Sequence, residues 1–213
     1  MSDSAAPFLV LALGAAALLY VTNANANTQA SSADPFAGLL DNLNSATGSL
    51  FGMGNSNGNN PANVQAFLDM ISMSEGTYGQ GDNGYNVVVG GSLFDNGYVD
   101  HPRIVVQTQY GRSDAAGRYQ IMAAAPGIQT NTWDWISAKL GLTDFSPASQ
   151  DAVAIYILQW KGAYTDVLNG NIQSAIAKVA GQWASLPGSP YGQNTNNLDA
   201  VLGWYQGAGG AIA

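Results

Sequence analysis

The run from Asn60-Pro61 to Thr77 sets tighter limits on the fold than any other stretch of this chain. Asn60 is a residue type that caps helix N-termini, and Pro61 suits the first helical position, where its missing N–H has no intrahelical partner to lose. Val64, Phe67, Leu68 and Ile71 then recur at i, i+3, i+4 and i+7, the stripe of a helix that faces a core. Glu75 lies about three helical turns beyond Val64 and returns to nearly the same angular position. Gly76 follows as a helix stop. The stretch is therefore a helix with a buried apolar face whose last turn brings a carboxylate to the edge of the core.

Two effects act on Glu75 in the same direction. Partial burial disfavours its charged form, and so does the negative end of the helix dipole. Both raise its pKa, as a general acid working near neutral pH requires. Of the fourteen acidic residues, Glu75 is the only Glu. An ordinary surface Glu just past a helix end is the bland alternative, and the apolar stripe argues against it.

Composition removes several function classes. The net charge is -8 and there are only six Lys and Arg, which argues against nucleic acid as a partner. Cysteine is absent, so disulfides, thiol catalysis and Cys-ligated metals are excluded. The single His101 cannot anchor a multi-His zinc site, and no motif calls for a metal or a cofactor. His101 precedes Pro102, which places it in an extended or turn segment.

Residues 1–22 form an N-terminal hydrophobic segment. Its apolar run, Phe8 to Val21, is short of the ~20 residues of a usual membrane span. A membrane anchor through residues 8–22, a signal peptide with Ala24-Asn25-Ala26 as its small-x-small site, and a buried helix compete. An Asp and no Lys or Arg ahead of the run disfavour the signal peptide, so the expectation is an anchor. Residues 23–60 are an Asn/Gly/Ser-rich linker, within which Phe36, Leu39, Leu40 and Leu43 suit one short amphipathic helix.

The globular domain spans 61–213. After the Glu75 helix, Tyr85 to Val89 reads as a strand, Gly90-Gly91 as a turn and Ser92 to Phe94 as its return. Arg103 to Gln109 is a further strand-like run. From Asn131 the pattern is helical. Trp133, Ile136 and Leu140 share a face, and Ser146-Pro147 opens a helix with Val153, Tyr156, Ile157 and Trp160 inward. Asn171 is a candidate cap for Ile172 to Gln182. Leu198, Val201, Leu202 and Tyr205 predict a last helix. A helix bearing an acid, a small β lobe and a mainly helical lobe make an α+β fold with a cleft between lobes.

The runs AFLDMISMSEGT, GYNVVVGGSLF, DHPR, AGRYQIM, LGLTDFSP, SQDAVAI and WASLPGSPYGQ occur in this order between residues 64 and 192. Over that range the chain resembles the lambda-type phage endolysins, lysozyme-like lytic transglycosylases. The resemblance implies a lysozyme-like fold and cleavage of the β-1,4 bond between N-acetylmuramic acid and N-acetylglucosamine in peptidoglycan glycan strands. It implies that Glu75 acts alone, first protonating the glycosidic oxygen and then deprotonating the muramoyl C6 hydroxyl, which closes a 1,6-anhydro ring.

Tyr119 and Gln120 are the substrate-binding candidates, an aromatic face for a sugar ring beside an amide for its polar groups. Ser185 and Tyr191 are weaker ones, and Trp183 suits a core position better. A hydrolytic muramidase would need a second acid, for which Asp82 and then Asp95 are the candidates, with Asp100 a further one; beside Gly and Asn, all three also suit turns. The remaining alternative is a non-catalytic virion or wall-binding protein. The expected setting is a membrane-anchored enzyme at the bacterial cell wall, serving host lysis or carried in a virion.

Overall fold

The computed structural model describes residues 60–213. The expected N-terminal anchor, the short helix around Leu40 and nearly all of the linker lie outside the described residues. Among the described residues, no helix is long and apolar enough to cross a membrane.

Helix α1 spans Pro61–Ser74 and begins as its sequence demands. The Asn60 side chain accepts a hydrogen bond from the Ala62 N–H at 3.1 Å, satisfying a donor the helix cannot pair internally. The whole predicted stripe is buried, and Ala66 and Met70 are fully enclosed as well. Helix α1 is thus a central element covered on most sides.

Helices α2 (Thr132–Leu140), α3 (Pro147–Trp160), α4 (Tyr164–Leu168), α5 (Ile172–Val179) and α6 (Leu198–Gly207) make up the rest of the helical body. Helices α4 and α6 pack directly on α1, where Phe67 meets Tyr205 edge-on at 6.5 Å. Helix α3 is capped by Ser146, whose hydroxyl accepts from the Ser149 N–H at 3.4 Å. Its buried residues run almost without a break from Ala152 to Leu158, so it too lies inside the body.

Two readings of the helical part need correction, and one short helix went unread. Helix α5 stops at Val179, short of the expected Gln182, because the chain turns there to deliver Trp183 to the core. The Asn171 side chain makes no capping bond. Helix α4 had no sequence signal, being a five-residue turn held by its packing on α1 and α5.

The β part is smaller than its β-branched residues predict. The only two-stranded sheet among the described residues pairs β1 (Val106–Thr108) with β2 (Gly111–Ser113), antiparallel, in the register Val106–Ser113, Gln107–Arg112 and Thr108–Gly111. The expected strands at 85–94 reduce to one bridge, Val87–Leu93, around the Gly90-Gly91 turn. The reason is competition for partners. Val88 also bridges Ala116, and Gly117 N–H donates to Val87 O at 2.8 Å, so this segment is shared between two neighbours and no ladder extends.

Gln150 fastens these pieces together from the middle of the core. Its amide donates to Tyr85 O and to Phe145 O, both at 2.9 Å, and its carbonyl accepts from the Arg118 N–H at 2.9 Å. That approach is open because residue 117 is glycine. Gly117 has φ +76°, and a Cβ there would lie 2.1 Å from Gln150 Oε1. Gly117→Ala should therefore destabilise the fold by about 2–4 kcal/mol, combining left-handed strain with overpacking. A denaturant titration showing a loss under about 1 kcal/mol would refute this account of the node.

Candidate active site

Glu75 is the residue at which α1 ends. Its N–H still donates to Ile71 O at 2.9 Å, and Gly76, at φ +74°, then turns the chain away. Thr77 locks the turn. Its N–H donates to Ser72 O at 2.9 Å and its hydroxyl to Arg118 O at 2.6 Å. Arg118 is itself buried, donates to Asn83 O, and pairs with Asp69 of α1 at 2.7 Å. The loop after Glu75 is thus fixed from both sides, and with it the start of the Glu75 side chain.

The far wall of the site comes from the segment after α5. Trp183 is core, as its sequence context suggested, and its indole N–H donates to Tyr119 O at 3.0 Å. Two residues on, the Ser185 hydroxyl donates to Glu75 Oε1 at 2.7 Å and lies 2.7 Å from the Ser74 hydroxyl. The Asn196 amide donates to Ser74 O, Ser74 Oγ and Ser185 O at 3.1, 3.0 and 3.2 Å.

Burial around the carboxyl group is the largest influence on Glu75 and pushes its pKa up to about 7. Ser185 opposes the rise through its side chain and its backbone, both bonds favouring the charged form. Glu75 as a whole residue is half-buried, with burial concentrated around its carboxyl group. A carboxylic acid poised near neutrality can give a proton and take one back within a single turnover.

The sequence candidates separate. Ser185, a substrate-binding candidate by sequence, places its hydroxyl on Glu75. Tyr119 needs correction as a sugar-stacking residue: it is fully buried, its hydroxyl donates to Asp151 at 2.6 Å, and its ring meets Tyr85 edge-on, so it presents no free face. Gln120 is half-buried at φ +46° and donates its amide to Gly117 O and Val87 O at 3.0 and 3.3 Å. Tyr191 is half-buried and donates to Gly181 O at 2.6 Å, tying its loop to the end of α5. Asp82 and Asp95 are exposed; Asp82 accepts from the Tyr98 hydroxyl at 2.8 Å. Asp100 accepts from the Trp133 indole at 2.9 Å and from Arg103.

His101 is structural. It is 3% exposed, packs edge-on against Phe145 at 4.9 Å, accepts from the Arg103 N–H at Nδ1 and faces Ile121 O with Nε2 at 2.9 Å. That assigns the proton to Nε2, and burial holds the pKa down at about 4. Among the described residues no group of His, Asp and Glu is arranged to hold a metal ion.

Sequence reasoning missed Ser74 and Asn196. Ser74 precedes Glu75 in the same run but carries no signal of its own. Asn196 sits in the Asn-rich stretch 194–197, which reads as a turn, and only the folded chain brings it to Ser74.

The family model described as Endolysin matches residues 65–212. The endolysin of Escherichia phage lambda is 41% identical over 153 residues, covering 70% of this chain and 92% of the relative. The endolysin of Escherichia phage P2 is 36% identical over 169 residues, covering 73% and 98%. Among solved structures, bacteriophage lambda lysozyme complexed with a chitohexasaccharide superposes with a TM-score of 0.65 at 40% identity, covering 76% of this chain and 100% of that one. A second structure of lysozyme from bacteriophage lambda gives 0.62 at 38% identity. With a family match over most of its length and a lysozyme-like fold in its described residues, the chain belongs to the endolysin family.

Proposed function

We propose that the chain cleaves peptidoglycan as a lytic transglycosylase, with Glu75 as its single acid and base. The observation that carries this reading is geometric: Glu75 ends α1 with its carboxyl held by the Ser185 hydroxyl at 2.7 Å, whereas Asp82 and Asp95, the candidate second acids, are exposed, and Asp82 accepts from the Tyr98 hydroxyl at 2.8 Å. A hydrolase would need a second carboxylate about 5–5.5 Å or 6.5–9.5 Å from the first. The bound chitohexasaccharide of the phage lambda lysozyme structure supports a glycan as the substrate class.

In the proposed reaction, protonated Glu75 gives its proton to the glycosidic oxygen as the bond to muramoyl C1 breaks. The N-acetylglucosamine leaves with a free 4-hydroxyl. The Glu75 carboxylate then takes the proton of the muramoyl C6 hydroxyl, and O6 closes on C1. The acid is regenerated and no water is consumed. Ser185 supports the carboxylate between the two steps by donating to Oε1.

Glu75→Gln should abolish muralytic activity, a loss of at least about 10²–10⁴-fold, while the fold persists. Activity within tenfold of the parent would reject the assignment. The same variant tests the burial. A carboxyl with a folded pKa above its unfolded value binds its proton more readily in the fold, so its contribution favours folding at low pH and is lost as pH rises through about 7. Glu75→Gln should therefore gain thermal stability relative to the parent at about pH 8 and not at about pH 4. Equal melting differences at both would contradict the raised pKa.

Mass spectrometry of digested peptidoglycan should find 1,6-anhydromuramoyl ends, lighter than hydrolysed ends by one water. Reducing muramic ends as the main product would favour a muramidase, and loss of activity in Asp82→Asn or Asp95→Asn would then name the second acid.

We further propose that residues 8–22 tether the enzyme to a membrane and that the linker lets it reach the wall, raising its local concentration there. Removing residues 1–59 keeps the Asn60 cap. The fragment should stay active on isolated peptidoglycan and lose the membrane association of the full chain; equal membrane association by both in flotation assays would reject the tether.

A further inference from the structure

We infer that Asn196 is a positioning residue that sets the direction of a hydrogen-bond chain ending on Glu75. This rests on the acid/base role proposed for Glu75. Two groups at this junction cannot donate. Ser74 O and Ser185 O are backbone carbonyls, acceptors only, and both lie within 3.2 Å of the same Asn196 side-chain atom. That atom must be the amide nitrogen. The Asn196 N–H also donates to Ser185 O, at 2.8 Å, which holds the residue in place.

The direction of every later bond follows. The Asn196 amide nitrogen also lies 3.0 Å from Ser74 Oγ; a planar amide nitrogen has no lone pair to accept with, so Ser74 Oγ takes part as an acceptor, sharing one of the two amide protons with a carbonyl. The Ser74 proton is then directed to Ser185 Oγ, 2.7 Å away, a contact whose distance alone does not fix its donor. With its own oxygen accepting, Ser185 turns its proton onto Glu75 Oε1 at 2.7 Å. Hydroxyls that both accept and donate polarise one another, so the last bond is strengthened by the first.

The chain matters because the Ser185 hydroxyl at its end is the one side-chain group that offsets the burial of the carboxylate, beside the Ser185 backbone. Its neighbours in α1, the loop after it and the 183–197 turn contribute no charged side chain to its shift. With Asn196 gone, Ser74 loses the donor that fixes its rotor, and Ser185 becomes free to donate to Ser74 instead of Glu75. The carboxylate then loses part of its one side-chain donor, and its acid form gains.

Because Glu75 is the sole Glu, carbon-13 labelling of glutamate carboxyls in the full chain gives one NMR resonance to titrate. In Asn196→Ala and in Ser74→Ala the midpoint should rise by roughly half a pH unit or more, and the basic limb of the activity profile should move with it. Asn196→Asp replaces a donor by an acceptor and should raise it further. Thermal melts identify the folded variants, and if Asn196→Ala does not fold, Ser74→Ala decides the matter. Midpoints within about 0.2 pH unit of the parent in the folded variants would overturn the inference. If Glu75→Gln remains active while these midpoints move, the proposed reaction fails and the hydrogen-bond chain stands. If Glu75→Gln is dead and the midpoints do not move, the reverse holds.

Discussion

The hydrogen bond from Ser185 to Glu75 joins segments 110 residues apart at 2.7 Å. Everything around it serves to hold two demands together. A carboxyl group must be crowded enough to keep its proton near neutral pH, and supported enough to survive without it. Burial supplies the first and the Ser185 bonds supply the second. Neither works unless α1 ends at a fixed place and the turn after α5 meets it there.

The core can be read as the means to that end. Helix α1 packs on α4 and α6, and its last turn is held by the Asn196 amide on Ser74 O. Thr77, Arg118 and Gln150 connect the loop beyond Glu75 to the segment 117–119 and to α3. Trp183 bonds to Tyr119 O in that same segment, so both walls of the site refer to one piece of backbone. This explains why Tyr119 is buried: its position beside the site is structural, with its hydroxyl on Asp151.

How much the sequence revealed depended on the range of the interaction. The Asn60 cap, the Gly76 stop, the Ser146 cap and the apolar stripes are local, and the structure has them as read. Glu75 stood out because its place on an apolar stripe is also local information. The strand at 85–89 failed because pairing depends on which partner wins, and Val87 and Val88 are shared with Ala116 and Gly117. Tyr119 misled because an aromatic beside an amide looks alike in a core and in a sugar site. Asn196 was invisible, since its meaning arises only when it meets Ser74, 122 residues away.

One carboxylate doing both proton transfers is the central claim, and the fate of water tests it most directly. Peptidoglycan digested in oxygen-18 water by a transglycosylase takes up no label at the new muramoyl ends, because O6 of the same sugar closes the ring. The account predicts unlabelled anhydro ends throughout. One oxygen-18 atom at C1 of each new muramoyl end would contradict it, since water would then have been the nucleophile and Glu75 would need a partner.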